Sequence, residues 1–192
     1  MGWRVSSLTS QVLAALALAR AGDVSQARKL ADQLNADFPL ATLIQSYWLP
    51  TIRAEIELYG GKAKLAIALL HSTAPYDLGE PPSITCLYPV YVRGEAHLRA
   101  LQGEAAAGEF QKILQHRGVV QNCPLGALAH LGLARAYALS GDQTKAKIAY
   151  QDFLTLWKDA DPDIPILKAS QSGVREVAVA ASELIDLPRH TP

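Results

Sequence analysis

Aromatic residues make up only 7% of this 192-residue chain, charged residues only 19%, and it has two cysteines. Each scarcity excludes something. Cys86 and Cys123 are too few for a disulfide framework and lack the paired spacing of a metal site, so a reduced compartment is the default. Basic and acidic residues balance at 18 each, for a formal net charge of zero. A nucleic-acid binder would show a basic excess or stripe, and no charged tail is present either. No apolar run reaches the roughly 18 residues that a membrane span needs. β-Branched and aromatic residues are sparse beside Ala and Leu, which favours helix over sheet. What remains is a chain that is 49% hydrophobic, enough for a substantial core.

Two N-terminal patterns imitate targeting signals. MGWRVS fits a myristoylation site, with Gly2 and Ser6, but the pattern is short and needs a eukaryotic enzyme. VLAALALARAG has the apolar core and small residues of a signal peptide. A helix closed by a Gly turn accounts for the same residues and also for those that follow, so the helical reading is preferred.

The segment LARAYALSGDQTKAKIAYQDFL, residues 133 to 154, carries the main structural signal. His130, Leu133, Ala134 and Tyr137 fall on one face of a helix that Gly141-Asp142 ends. Ala146, Tyr150, Phe153 and Leu154 fall on one face of a second. A short turn makes the two helices antiparallel neighbours. QVLAALALARAGDVSQARKLADQLNADFP repeats the plan, with Ala15, Leu18, Gly22, Ala27 and Pro39 matching Ala134, Tyr137, Gly141, Ala146 and Lys158. LPTIRAEIELYGGKAKLAIALL supplies Ala54, Gly61 and Ala66. YPVYVRGEAHLRALQGEAAAGEFQKIL supplies Gly94, Ala106, Phe110 and Leu114. Gly22, Gly61, Gly103 and Gly141 are read as the four turn glycines, at a spacing typical of helical repeats. DLGEPPSITCLYP, RGVVQNCP and DADPDIP serve as connectors. After the last, Pro165 opens a further helix with an apolar stripe of Val174, Val177, Ala178, Ala181, Leu184 and Ile185.

These residues resemble the tetratricopeptide repeat. Leu133-Ala134 stands where that pattern has Leu-Gly, Tyr137 matches its Tyr, and Ala146 with Tyr150 matches its Ala-aromatic pair; Lys158 replaces its final Pro. LPTIRA, APYDLG, YPVYVRGEA, EFQKIL, GALAHLGLARAYALSGD and YQDFLTLWKDADPDIPILK look like the repeat region that follows the catalytic domain of large bacterial serine/threonine protein kinases. Similar regions follow winged-helix regulators. The resemblance implies an all-α, right-handed solenoid of about four helical hairpins over residues 8–158, then a linker turn and capping helix over 159–188. It also implies a sensory or scaffolding module of a bacterial signalling protein. The Gly-rich loop, His-Arg-Asp loop and Asp-Phe-Gly of a kinase are missing, so no kinase activity carries over. The tail after Lys168 departs from the family's ending.

Sites of chemistry are poorly represented. YGGKAK, around Gly60, Gly61 and Lys62, lacks the upstream Gly, the Ser/Thr after Lys and the preceding strand of a phosphate loop, and is read as a helix-to-helix turn. Cys86 and Cys123 precede helices bearing His97 and His130, but a Cys-His pair also needs contact, an orienting group and an oxyanion site. Asp159, Asp161 and Asp163 lack the Gly and distant Glu of a calcium loop. No catalytic, metal or cofactor residues are assigned, and the chain is read as a non-enzyme.

The resemblance instead places a groove on the first helices of the hairpins. Trp48, Thr51 and Glu55 come from the second copy, Tyr88, Tyr91, Glu95 and Arg99 from the third, and Leu131, Arg135 and Leu139 from the fourth. Aromatics and Arg are what interfaces use as anchors, and core packing is the competing role for Trp48, Tyr88 and Tyr91. The expected function is capture of a peptide or protein segment on the concave face, with Glu55, Glu95, Arg99 and Arg135 selecting by charge. The rival expectation is a structural module that docks on a signalling domain or pairs as a homodimer through its N-terminal hairpin, whose Leu, Ala and Val face lacks an upstream neighbour. Cytoplasm is the default location. Attachment to a membrane-anchored kinase would place the chain outside it.

Overall fold

A computed structural model of the protein describes residues 8–79 and 86–185, with side chains described as far as Val177. The described residues are helical, with no strand among them. The hairpins are α1 (Leu8–Ala21) with α2 (Val24–Asp37), α3 (Leu49–Tyr59) with α4 (Ala63–Leu70), α5 (Tyr88–Arg99) with α6 (Gly103–Gln115), and α8 (Leu125–Leu139) with α9 (Gln143–Leu156). A one-turn helix, α7 (Arg117–Val120), lies between the third and fourth, and α10 (Pro165–Ile185) follows the last. Within each hairpin the two helices pack together. Each first helix also packs on the first helix before it, in the order α1, α3, α5, α8. The second helices α2, α4 and α6 lean on the first helix of the next hairpin. Burial is therefore pairwise along the chain.

Local sequence explains the turns. Asp23 and Asp142 cap α2 and α9, their carboxylates accepting from the N–H groups of Gln26 and Lys145 at 3.1 and 3.0 Å. Gly22, Gly61 and Gly141 hold positive φ of 89°, 75° and 81°. The third hairpin differs from expectation. Leu101 takes the left-handed position, at φ 59°, and Gly103 begins α6. A Cβ at Gly103 would lie 2.2 Å from Ser140 Oγ and 2.8 Å from the Ala136 carbonyl oxygen. The glycine serves close approach between α6 and the end of α8, and a strained leucine, 77% exposed, makes the turn.

The second hairpin opens irregularly because of Pro50. Proline has no N–H, so the Ser46 carbonyl loses its helical donor. A π turn over Ile44–Trp48 precedes α3, and Leu49 donates to Ile44 five residues back. The Thr51 hydroxyl, fully buried, donates to the Tyr47 carbonyl, and Ser72 Oγ reaches the Ser46 carbonyl at 3.4 Å.

Phe110 is the wedge of the third interface. It is fully buried, and a Cβ at Gly94 of α5 or at Gly132 of α8 would lie 2.7 or 2.5 Å from its ring. Tyr150 repeats the arrangement forty residues on: a Cβ at Gly173 of α10 would sit 2.5 Å from its ring. The helix α10 thus meets α9 as α8 meets α6, and Leu167, Ser170 and Val177 are buried in the contact. Ala178, Ala181, Leu184 and Ile185 of the expected stripe lie outside the described side chains.

Candidate functional site

Arg20, near the end of α1, reaches across two hairpins. Its Nη1 donates to Glu55 Oε1 of α3 at 2.8 Å. Its Nη1 and Nη2 grip both oxygens of Glu95 on α5, at 3.0 and 2.9 Å. Such a bidentate fork fixes direction as well as distance. Tyr88 donates its hydroxyl to the same Glu55 oxygen at 3.0 Å, and the Arg20 guanidinium stands 5.4 Å from the centre of the Tyr91 ring. One cluster therefore joins the first helices of three successive hairpins.

Its electrostatics follow from burial. Loss of water raises the Glu55 carboxyl above the ordinary range; Arg20 pulls it down, and Glu95 adds to the rise. Burial would lower Arg20, but Glu95 and Glu55 outweigh it and the guanidinium is held more firmly charged. Tyr88 and Tyr91 are both raised, by burial first and then by Glu55 and Glu95 respectively. One guanidinium faces two carboxylates, so the cluster carries one unbalanced negative charge when both are ionised.

The face continues on α8. Arg135 is exposed, and its charge works against the rise that burial imposes on the hydroxyls of Tyr91 and of Tyr150 on α9. Among the residues expected to line a groove, Glu55, Tyr88, Tyr91 and Glu95 converge, and Arg135 stands beside them. Arg99 is exposed, but its Nη1 donates to the Leu58 carbonyl at 2.6 Å, closing the end of α3. Leu139 is 40% exposed and lies toward the turn edge near Leu101. Trp48, Thr51 and Leu131 are buried; Trp48 packs edge-on against Tyr47 with ring centres 4.9 Å apart. Glu55 and Tyr91 are buried as well, at 5% and 4% exposure. Arg20 was missed by the sequence reading, although it stands one hairpin earlier at the position of Tyr59, Arg99 and Leu139.

A second charged cluster lies where the hairpins pack. Arg93 of α5 binds Asp77 Oδ2 at 2.6 Å, Glu109 Oε2 of α6 at 2.8 Å and the Thr73 hydroxyl at 3.0 Å. Lys112 adds a bond to the same Asp77 oxygen at 3.0 Å. Two cations meet two carboxylates, so this cluster is neutral within itself.

The remaining chemical candidates resolve simply. Gly61 and Lys62 form the turn between α3 and α4, with Lys62 paired to Glu57 at 3.0 Å. Asp161 accepts from the Asp163 N–H at 2.9 Å, and Asp163 pairs with Lys168 at 2.8 Å, bracing the start of α10. His130 is half-buried, 3.6 Å from Asp152; burial lowers its pKa, Asp152 opposes this and Arg117 reinforces it. His97 Nδ1 is 2.7 Å from the Gln102 side-chain oxygen. No cluster of three or more His, Cys, Asp or Glu that could hold a metal occurs among the described residues, and no described helix is long and apolar enough to cross a membrane. Compared with protein-family models, with curated proteins and with solved structures, the chain matches none of them.

Proposed function

We propose that this protein is a tetratricopeptide-like solenoid that binds a peptide or protein segment along the face of α1, α3, α5 and α8, as a module of a bacterial signalling protein. The observation that carries this reading is the convergence of Arg20, Glu55, Tyr88, Tyr91 and Glu95 from three hairpins onto one partly exposed cluster. A core needs no such assembly of charge at its surface. Interfaces use aromatic and Arg anchors with charge at the rim.

The charge distribution names the chemistry of the segment. The Arg20–Glu55–Glu95 cluster has one negative charge in excess and selects a Lys or Arg of the partner. Arg135, farther along the face, selects an acidic group. Tyr91 is buried between them, at 4% exposure, and backs the Arg20 guanidinium without itself meeting the segment.

The test is fluorescence anisotropy with a library of labelled peptides that carry one basic and one acidic residue at varied separation. Glu95→Gln and Arg135→Glu are measured beside the wild type. Affinity that falls about tenfold in each variant and weakens with salt is expected. Equal binding of charge-reversed peptides would sink the reading. Arg99→Glu is a poor probe, because it also removes the bond to the end of α3.

A further inference from the structure

The connector between the third and fourth hairpins makes a detour. It adds the single turn of α7 and then bends at Gln121, which holds a positive φ of 50°. Beside it lies an open hollow of about 430 Å³, walled by the end of α6, by α7 and its loop, by the start of α8 and by the end of α9. Leu114, Leu156 and Trp157 give it apolar walls, and Arg117, Asn122 and His130 give it polar ones. The Trp157 ring packs on the fully buried Phe153, with ring centres 5.1 Å apart. Charge in the lining has one sign. Arg117 is exposed, and its guanidinium has no hydrogen bond and no ion pair among the described residues. No described carboxylate lines the hollow. The His130 side chain is only 15% exposed, and Asp152, outside the lining, stands 3.6 Å from its Nδ1, beyond hydrogen-bond reach. Burial keeps that imidazole neutral at neutral pH.

We propose that this hollow binds a small organic acid, a monocarboxylate carried on an aromatic or branched aliphatic body. An Arg without a protein partner keeps its planar fork free for both oxygens of a carboxylate. Asn122 and His130 offer N–H donors beside it, and the apolar body lies on the Trp157 ring and the two leucines. The volume falls within the range of small-molecule sites, about 300–1,000 Å³. Because helices of both hairpins line it, a bound acid joins the third hairpin to the fourth and stabilises the folded chain by mass action. The hollow shares no residue with the Arg20 cluster, so the inference does not rest on the peptide-binding reading.

The experiment is isothermal titration calorimetry of the purified chain at neutral pH. The probes are hydrocinnamate, indolepropionate and isocaproate, each beside its primary amide. At least one acid should bind at a single site with a Kd of roughly 10–500 μM, and its amide about tenfold more weakly or worse. Arg117→Gln should weaken the acid about tenfold and leave the amide unchanged, whereas Trp157→Leu should weaken both alike. Glu95→Gln, in the other cluster, should change neither. In proton–nitrogen correlation spectra the Trp157 indole and the Asn122 and Gly126 amides should shift as the acid is added. No heat and no shift from any of the acids at about 5 mM would overturn the proposal. So would amides that bind as tightly as their acids, or Arg117→Gln binding the acid as well as the wild type. Should Trp157→Leu fail to fold, the exposed Arg117→Gln and the wild-type amide shifts decide.

Discussion

Arg20 and Arg93 each hold two carboxylates from neighbouring elements, yet the two clusters are built for different work. The Arg93 side chain is 7% exposed and its partner Asp77 only 3%. Its charges cancel, with Lys112 and Glu109 completing the set. The Arg20 side chain is 42% exposed, against 6% for Glu55 and 18% for Glu95, and its charges do not cancel. Low dielectric makes the first cluster costly to break and unable to exchange partners. Water around Arg20 lets that fork open, and the excess carboxylate leaves something for a ligand cation to bind. The same side-chain chemistry thus gives a structural staple at one site and a candidate recognition site at the other. Exposure and charge balance decide between them.

Breaking the buried staple should have the largest effect. Arg93→Met leaves Asp77 buried with Lys112 as its remaining cation, and a loss of about 3–5 kcal/mol is expected from urea unfolding. Removing both partners, as Arg93→Met with Asp77→Leu, should cost less than Arg93→Met alone, because no charge is then stranded. A double variant as unstable as the sum of its singles would argue against a paired buried cluster.

Arg20→Ala should cost about 1–2 kcal/mol, since water shields the exposed partner while Glu55 keeps only the Tyr88 hydroxyl. If that loss matched Arg93→Met, the distinction between staple and recognition site would fail. A position outside both clusters calibrates the scale. Leu101→Gly puts the residue of the other three turns at a left-handed position and should raise stability by about 0.5–1 kcal/mol in the same titration.

The smallest effect is a pH slope. Glu55 is raised above its ordinary value of 4.5, chiefly by burial. The native chain therefore binds this proton more readily than the unfolded one. The contribution to stability is complete below that value and is lost as pH rises through the higher folded value. Glu55→Gln should flatten that fall in a series of thermal midpoints, and Arg20→Ala should steepen it. Identical slopes in all three proteins would show that Glu55 does not titrate in this way.

The hairpins were legible because they are local. Ala15, Ala54, Ala134 and Ala146 are fully buried in the helices where the repeat pattern put them. Asp23 and Asp142 cap the helices that follow Gly22 and Gly141. Gly103 shows where local reading ends. Glycine serves both a left-handed turn and a close approach, and only the neighbouring helix separates the two uses. The Arg20 cluster was legible in part, since Glu55, Tyr88, Tyr91 and Glu95 were named and Arg20 was not. The resemblance placed Thr51, Glu55, Glu95, Leu131 and Arg135 along one face, but depth could not be read there: Thr51, Glu55 and Leu131 are buried, while Arg135 is exposed. The π turn ahead of α3 was also hidden, because its cause, Pro50, reads equally well as an ordinary first-turn proline.

The sequence by itself determined helices, turns and a period of about forty residues, because side chains three and four apart and their capping residues interact within one hairpin. Tertiary structure alone decided which charges meet. Arg20 lies 35 residues from Glu55 and 75 from Glu95. Those meetings depend on how each first helix is rotated and spaced against the one before it. That geometry is set by Phe110 on Gly94 and Gly132, and by Tyr59 on Gly22: contacts between layers that no window of a single hairpin contains.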